Sequence, residues 1–134
     1  MADIDPQAPI TPTILVVDDD LGIQRVMAKF LRLEGFTPAV AGNGAEALAY
    51  LRAASDVRVI VLDLRMPVMD GWTFRKEQRL DPGIAAIPIV VLSGAEADRL
   101  PELDAAAAFR KPVSFPEVID VVRRLCDRAP GEHG

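Results

Sequence analysis

The sequence predicts an α/β domain in which helices cover both faces of a single parallel sheet. Short apolar runs alternate five times with segments whose apolar residues recur at helical spacing. Several of these runs contain no charged residue, which is typical of strands buried on both faces. Crossovers between parallel strands are almost always right-handed, and this rule distributes the connecting helices over both faces of the sheet.

Five strands are predicted along the chain. The first, 13–17, consists of five consecutive uncharged and mostly β-branched residues, so it needs cover on both faces. The last is rich in alanine and has a weak intrinsic preference for a strand. The predicted strands are 13–17, 37–41, 57–62, 87–92 and 106–110.

The helices between the strands are marked by caps and breaks. Gly35 closes the first helix as its C′ residue, and Pro101 predicts a short or broken element over 95–103. Two capping-box patterns mark helix starts, Asn43 with Glu46 and Ser114 with Glu117. The predicted helices cover 23–33, 43–53, about 72–80, and the segment from Ser114 to about 127.

Bulk composition indicates one soluble domain. The chain has 134 residues, half of them apolar, and a net charge of −5 without a Lys/Arg block, which argues against a nucleic-acid surface. Cys126 is the only cysteine, so no internal disulfide is possible and a reducing compartment fits best. Neither a signal peptide nor an apolar stretch long enough to span a bilayer is present, and we expect a cytoplasmic protein without membrane partners.

Polar residues directly follow four of the predicted strands. Since the carboxyl ends of parallel strands meet at one edge of the sheet, where ligands of such sheets bind, we expect these residues to form one site. In chain order they are Asp18-Asp19-Asp20, Asp63, Ser93-Gly94 and Lys111-Pro112.

The residue types in this set indicate magnesium and phosphoryl chemistry. Asp18, Asp19 and Asp63 would repel one another, and oxygen ligands favour Mg²⁺ or Ca²⁺, with Mg²⁺ better suited to a site completed by waters and a phosphate oxygen. Asp63 is the candidate nucleophile, Lys111 the cation for a phosphoryl oxygen, and the Ser93 hydroxyl with the Gly94 N–H the further donors.

Each of these residues alone has an ordinary structural explanation. The aspartate run can be a solvated turn with Asp20 as helix N-cap, Asp63 a loop cap, Ser93 a turn hydroxyl and Lys111 a surface lysine. Their joint placement at four strand ends favours one site over four coincidences.

Over about residues 12–128 the chain resembles the receiver domains of two-component response regulators. The resemblance rests on ILVVDD at 14–19, VLDLRMPVMDG at 61–71, LSG at 92–94 and RKP at 110–112. It implies a flavodoxin-like, doubly wound fold with sheet order 2-1-3-4-5. It also implies a receiver domain over 13–128, preceded by a disordered lead-in at 1–12 and followed by a frayed tail at 129–134.

The same resemblance implies a role for each site residue. Asp63 is expected to be the phosphoacceptor, with Asp19 as a direct Mg²⁺ ligand and Asp18 holding a metal-bound water. The further expected contributions are the Arg65 carbonyl as third protein ligand, the Leu64 backbone N–H as a phosphoryl donor and a cis peptide before Pro112.

One position departs from the family pattern. Receivers usually carry an aromatic residue three positions before the lysine, and this chain has Ala108 there. Phe109 is one residue later and points to the opposite face of a regular strand, where it is expected to be core. We therefore expect Ser93 and the loop that follows it to move with little aromatic rearrangement.

The residues after 127 are too few for an output domain, so we expect a stand-alone response regulator receiver that is a switch rather than a turnover enzyme. It is expected to receive its phosphoryl group from a phosphohistidine of a sensor histidine kinase or phosphotransfer protein, and to signal to an unknown downstream protein, as a monomer or phosphorylation-dependent dimer. Open alternatives are a phosphotransfer relay or phosphate sink, and an interaction module that needs no phosphorylation. An aspartyl-phosphate phosphatase would carry an Asp-x-Asp motif at the first strand and a cap insertion. A flavin carrier would carry a glycine-rich phosphate loop.

Overall fold

The protein is an alternating α/β structure, seen in a computed structural model that describes residues 11–54, 56–94 and 97–127. The expected lead-in and tail lie outside these residues, apart from residues 11 and 12. The strands are β1 (Thr13–Val17), β2 (Thr37–Ala41), β3 (Val57–Asp63), β4 (Ile89–Ser93) and β5 (Ala107–Arg110). The helices are α1 (Leu21–Leu33), α2 (Gly44–Ala53), α3 (Gly71–Leu80), the 3₁₀ helix η1 (Ala97–Leu103) and α4 (Phe115–Asp127).

The sheet has the order β2-β1-β3-β4-β5, and all four pairings are parallel. This confirms the doubly wound, flavodoxin-like order 2-1-3-4-5. The short or broken element expected over 95–103 is confirmed for the described residues 97–103, where the crossover between β4 and β5 is the 3₁₀ helix η1 with Pro101 inside it. Proline removes a backbone donor and clashes with the preceding turn, so an α-helix does not form there.

Two apolar layers cover the two faces of the sheet. On one face, residues of α2 and α3 such as Leu51 and Phe74 pack on the strands, together with Leu103 at the end of η1. On the other face, Met27 and Leu31 of α1 pack beside residues of α4 such as Val122. The predicted distribution of helices over both faces is therefore confirmed. Val26 of α1 lies outside this layer and is 40% exposed.

The start of β4 differs from the prediction by two residues. The ladder between β3 and β4 begins where Ile60 N–H donates to the Pro88 carbonyl, at 3.0 Å. Ile87 belongs to the preceding turn, because its carbonyl accepts a hydrogen bond from the Gln78 side chain at 3.0 Å. At the other end, Ser93 is the last residue of the strand, and its carbonyl accepts from Lys111 N–H at 2.7 Å.

The edge strand β2 contains a proline. Thr37 N–H donates to the Pro12 carbonyl at 2.9 Å, so Thr37 faces β1. Because backbone groups alternate in direction along a strand, the nitrogen of Pro38 faces the open edge. The missing N–H of the proline therefore costs no hydrogen bond within the sheet.

Helix α3 and η1 are joined through a buried arginine. The Arg75 guanidinium donates to the Leu103 carbonyl at 2.8 Å and to the Asp104 carbonyl at 3.0 Å. It also donates to the side-chain oxygen of Gln78 at 2.8 Å. Arg75 is 8% exposed, so these hydrogen bonds satisfy a charged group that burial would otherwise penalise. They fix the end of η1 against α3.

Candidate functional site

The carboxyl ends of the strands bring the predicted acidic residues together. One carboxylate oxygen from each of Asp18, Asp19 and Asp63 lies within 4.8 Å of the others. Asp18 and Asp63 are buried and Asp19 is exposed. Lys111, which follows β5, reaches the same point across β4. Three short segments that are distant in sequence thus meet at one place because their strands lie in the same parallel sheet.

Asp18 is fixed by the turn between β1 and α1. Its N–H donates to the Ala41 carbonyl at 3.0 Å and continues the pairing of β1 with β2. Its Oδ1 accepts from Asp20 N–H at 2.9 Å, while Asp20 caps α1 by accepting from two backbone N–H groups of the first turn. The other oxygen, Oδ2, is buried and has no hydrogen-bond partner among the described residues.

Asp63 and Lys111 form the closest ion pair of the site. Lys111 Nζ lies 2.9 Å from Asp63 Oδ1 and 3.9 Å from Asp18 Oδ2, so it hydrogen-bonds only to Asp63. The Asp63 side chain is 7% exposed and that of Lys111 is 31% exposed. The ammonium is therefore close to both buried carboxylates and still accessible from solvent.

Burial and mutual repulsion perturb the titration of this cluster. Burial raises the pKa of Asp18 from 3.8 to about 6; the hydrogen bond from Asp20 N–H opposes this and the charge of Asp63 adds to it. Burial also raises the pKa of Asp63, although the Lys111 hydrogen bond and charge lower it. Burial lowers the pKa of Lys111, but the hydrogen bond and charge of Asp63 outweigh it and the net shift is upward.

The donor set fits a divalent metal ion. Three carboxylates share one small volume with a single ammonium, and the buried Asp18 Oδ2 has an unused lone pair. All three groups offer oxygen, the ligand atom that Mg²⁺ prefers in proteins. A cation in contact with them would offset the burial and repulsion that raise the carboxylate pKa values.

The remaining predicted site residues lie around this cluster. Ser93 is buried at the end of β4, and Gly94 follows it in an exposed position. Leu64 is buried after Asp63, and its N–H lowers the pKa of the Asp63 carboxyl by hydrogen bonding. Arg65 has an exposed side chain. The peptide bond between Lys111 and Pro112 is cis.

Two residues that support the site were missed at the sequence level. The buried side chain of Gln24 donates to the Asp18 carbonyl at 2.5 Å and ties the acidic turn to α1. The sequence feature that could have revealed Gln24 is its polar side chain in helical register with Ala28 and Leu31, on the inward face of α1. Gly71 N–H donates to the Leu64 carbonyl at 2.8 Å, and a Cβ at Gly71 would lie 2.7 Å from Leu64 Cδ2. Only glycine allows α3 to begin this close to the chain after Asp63.

At the position of Ala108, the structure follows the regular alternation of a strand. In the continuous pairing of β4 with β5, Ala108 lies beside Val91 and Phe109 beside Leu92. Ala108 is exposed, whereas Phe109 packs against the apolar layer formed with α1 and α4. The aromatic residue of β5 therefore lies in the apolar core and not on the strand face that carries Ala108.

Comparison with solved structures identifies the class of fold. The response regulator receiver protein of Pseudomonas putida superimposes with a TM-score of 0.80 at 26% identity, covering 87% of this chain and 99% of that one. The chemotaxis response regulator CheY4 of Vibrio cholerae gives 0.77 at 27% identity, with 87% and 99% covered. The fold is that of CheY-like receiver domains.

Sequence comparison then identifies the family. A family model described as the response regulator receiver domain matches residues 14–123, and the chain belongs to this family. The transcriptional regulatory protein PrrA of Mycobacterium tuberculosis is 38% identical over 124 residues, which cover 88% of this chain and 51% of PrrA. The CpxR homolog of Haemophilus influenzae is 32% identical over 120 residues, with 87% and 51% covered. The chain spans about half the length of the curated relatives it matches.

Family membership establishes the general role of the chain in two-component signalling. Receiver domains accept phosphoryl groups, generally bind Mg²⁺ at an acidic pocket, and interact with sensor kinases or phosphotransfer proteins. They are signalling modules rather than classical enzymes. The cluster of Asp18, Asp19 and Asp63 fits this Mg²⁺ and phosphorylation site. None of the described helices is long and apolar enough to cross a membrane.

Proposed function

We propose that this chain is a receiver that accepts a phosphoryl group from a phosphohistidine onto Asp63 in a Mg²⁺-dependent reaction. The observation that carries the proposal is the contact between Lys111 Nζ and Asp63 Oδ1, at 2.9 Å, beside two further carboxylates. A lysine held there can pair with a phosphoryl oxygen once Asp63 is modified. Asp63 lies at a strand end and is only slightly exposed, so a small donor group can reach it while bulk water is limited.

In the proposed reaction an Asp63 oxygen attacks the phosphorus of the phosphohistidine. The new P–O bond forms as the P–N bond breaks, and the imidazole nitrogen leaves with the bonding electron pair, which takes up a proton. A bound Mg²⁺, held by Asp18, Asp19, Asp63 and the Arg65 carbonyl, would supply positive charge to the transferring group. Lys111 would pair with one phosphoryl oxygen, while the Leu64 N–H, the Ser93 hydroxyl and the Gly94 N–H donate to the others.

The charge balance supports a stable phosphorylated form. Three carboxylates, one lysine and one divalent cation sum to zero, and conversion of Asp63 to a dianionic acyl phosphate changes the sum to −1. Hydrolysis by water would regenerate the carboxylate and release inorganic phosphate. The chain thus catalyses only its own phosphorylation and dephosphorylation.

We further propose that phosphorylation acts through Ser93 and the segment after it. Ser93 is buried and its carbonyl accepts from Lys111 N–H, so a shift of Ser93 toward a phosphoryl oxygen would involve both β5 and η1. With Ala108 in place of an aromatic residue, the shift needs no large ring to turn inward. Comparison of structures with and without a phosphoryl analogue tests this: movement of the Phe109 ring out of the apolar layer and toward Ser93 on activation would contradict it.

The primary test is the intact mass of the protein after incubation with acetyl phosphate and Mg²⁺. We expect a single phosphoryl adduct that is absent in Asp63→Asn and absent when a chelator replaces Mg²⁺. Asp56→Asn is a suitable control, because Asp56 is exposed and accepts a hydrogen bond from Thr13 away from the site. An adduct that persists in Asp63→Asn would contradict the assignment of the acceptor.

Two alternatives use the same fold. A phosphotransfer relay or phosphate sink has the same chemistry without an output partner, and a phosphoryl lifetime of seconds would favour it over a switch. An interaction module independent of phosphorylation is favoured only by Ala108, where the usual aromatic residue is missing. A missing adduct under conditions that phosphorylate another receiver would make this module the better explanation.

The proposed partners follow from the same chemistry. The donor is a sensor histidine kinase or a histidine phosphotransfer protein, which we propose docks on α1 beside the acidic turn. The proposed output surface extends from η1 to α4 and contacts a protein rather than nucleic acid, in keeping with the net charge of −5. We propose a cytoplasmic receiver that is monomeric or dimerises on phosphorylation. Light scattering before and after acetyl phosphate treatment distinguishes these two states.

A further inference from the structure

Helix α3 and the 3₁₀ helix η1 enclose an open groove that the phosphorylation chemistry does not use. Its volume is about 480 Å³. None of the residues that line it belongs to the acidic cluster. The groove is lined by Trp72, Thr73, Arg75, Lys76, Arg79, Leu80, Arg99, Glu102 and Leu103.

The charge of this groove is opposite to that of the chain. Among the described residues that line the groove, four are cations and one, Glu102, is an anion, whereas the whole sequence carries a net charge of −5. A local positive potential on an acidic protein attracts anionic groups and repels other cationic surfaces. The groove is therefore selective for a ligand with negative charge.

Three of the four cations are available to such a ligand. Lys76 is exposed. Arg79 lies 3.6 Å from Asp104, and Arg99 lies 3.3 Å from Glu102, and both pairs are largely solvent-exposed. Exposed ion pairs contribute only about 0–1 kcal/mol, so an incoming carboxylate can replace either partner at low cost.

Apolar groups lie between these cations. Trp72 is half-buried, and the Arg99 guanidinium lies over its ring, 4.2 Å from the ring centroid. Trp72 Nε1 is buried and has no acceptor among the described residues. Leu80, at the last position of α3, is 71% exposed. An aromatic and an aliphatic contact thus stand about two helical turns apart along one basic face.

We propose that this groove binds an acidic segment of a partner protein, in which carboxylates alternate with apolar side chains. The carboxylates pair with Lys76, Arg79 and Arg99, and the apolar side chains contact Trp72 and Leu80. A peptide segment can match the mixture of charge and apolar surface in the groove. The net charge of the chain disfavours a nucleic acid, whose dense negative charge would be repelled outside the groove.

The test uses the fluorescence of Trp72, which is the only tryptophan of the chain. The probe is a synthetic peptide of alternating glutamate pairs and single leucines, titrated at fixed Mg²⁺ into the unphosphorylated protein. We expect a saturable change of emission with a Kd of roughly 0.1–1 mM, weakened by salt. A peptide with glutamine in place of glutamate and a short DNA duplex are titrated in parallel.

A pair of charge-matched variants assigns the site. The double variant Lys76→Glu/Arg79→Glu is expected to weaken binding of the acidic peptide at least about tenfold. The control Arg25→Glu/Lys29→Glu changes the net charge by the same amount at two exposed positions of α1, and its affinity is expected to stay within about twofold of wild type.

Three outcomes would overturn the proposal. They are no saturable change with the acidic peptide, equal loss in both double variants, and binding of the DNA duplex in preference to the peptide. The groove does not include Asp63, so the proposal stands or fails independently of the phosphorylation reaction. A protein that fails to form the phosphoryl adduct can still bind the peptide, and the reverse also holds.

Discussion

Replacement of Asp18 by asparagine is expected to stabilise the protein in the absence of Mg²⁺. Asp18 is 1% exposed, and its Oδ2 has no hydrogen-bond partner among the described residues. Asparagine has nearly the same shape, and its side-chain oxygen can keep the hydrogen bond from Asp20 N–H. The substitution therefore removes a buried charge without removing the contact that fixes the turn.

The size of the effect follows from the titration of Asp18. Burial, with a contribution from Asp63, raises its pKa from 3.8 to about 6. Each pKa unit corresponds to about 1.36 kcal/mol, so about two units give an upper value near 3 kcal/mol at neutral pH. Burying the amide offsets part of this, and we expect a gain of roughly 1–3 kcal/mol in the free energy of unfolding. The midpoint of thermal unfolding should rise by roughly 3–10 °C.

The pH dependence gives the sign of the effect. Above pH 6 Asp18 is ionised in both the folded and the unfolded state, so its destabilising effect is fully present. As pH falls from 6 toward 3.8, the folded state binds a proton before the unfolded state does, and the wild type gains stability relative to the variant. The difference between Asp18→Asn and wild type should therefore shrink through this window and vanish below it.

The assay is urea unfolding at several pH values, with and without Mg²⁺. Added Mg²⁺ should stabilise the wild type, by about 2.7 kcal/mol at a hundredfold excess over its Kd, and should stabilise Asp18→Asn much less. Asp19→Asn is the control: Asp19 is exposed, so its replacement should weaken the response to Mg²⁺ but change metal-free stability by no more than about 0.5 kcal/mol. If Asp18→Asn is no more stable than wild type at pH 7.5 without Mg²⁺, the reasoning is refuted.

Three further substitutions test the structure around the site. Gly71→Ala would place a Cβ 2.8 Å from Leu64 Cα; a loss of about 1–3 kcal/mol by urea unfolding is expected, and an unchanged midpoint would contradict the close approach. Val68 has a φ of 68° and is 85% exposed, so Val68→Asn should gain about 1 kcal/mol, whereas Val40→Asn in β2 should lose stability. Arg75→Met removes hydrogen bonds to two carbonyls of the segment that ends η1, so proteolytic cleavage there should accelerate severalfold; wild-type cleavage rates would speak against this anchor.

The sequence was sufficient for the sheet and for most of the acidic site. The strand 13–17 is uncharged throughout and is followed at once by Asp18, so one short segment gives both the strand and the position of the carboxylate. The same holds for Asp63 after β3. A polar residue that ends an apolar run is a local pattern, and the parallel order of the strands then brings such residues together.

The parts that could not be predicted depend on contacts between distant residues. Ile87 is apolar, and the sequence pattern therefore predicts a strand there. The Ile87 carbonyl is instead held in a turn by a hydrogen bond from the Gln78 side chain. The sequence does not distinguish Gln24 from the other polar residues of α1, because its role depends on the hydrogen bond that it donates to the Asp18 carbonyl. The distance between Asp63 and Lys111 likewise depends on the spacing of β3, β4 and β5 in the sheet. No local sequence pattern determines that spacing.

The proline of β2 has a consequence for how copies of this chain can associate. Thr37, Ala39 and Ala41 direct their backbone groups toward β1, which leaves Pro38 and Val40 on the outer side of the strand. Pro38 has no amide hydrogen, so β2 offers a strand of another molecule at most one backbone N–H donor, that of Val40. One donor is too few to extend the sheet across two molecules. Association of two copies by strand pairing at the β2 edge is therefore not expected, even at the high protein concentrations of a cell.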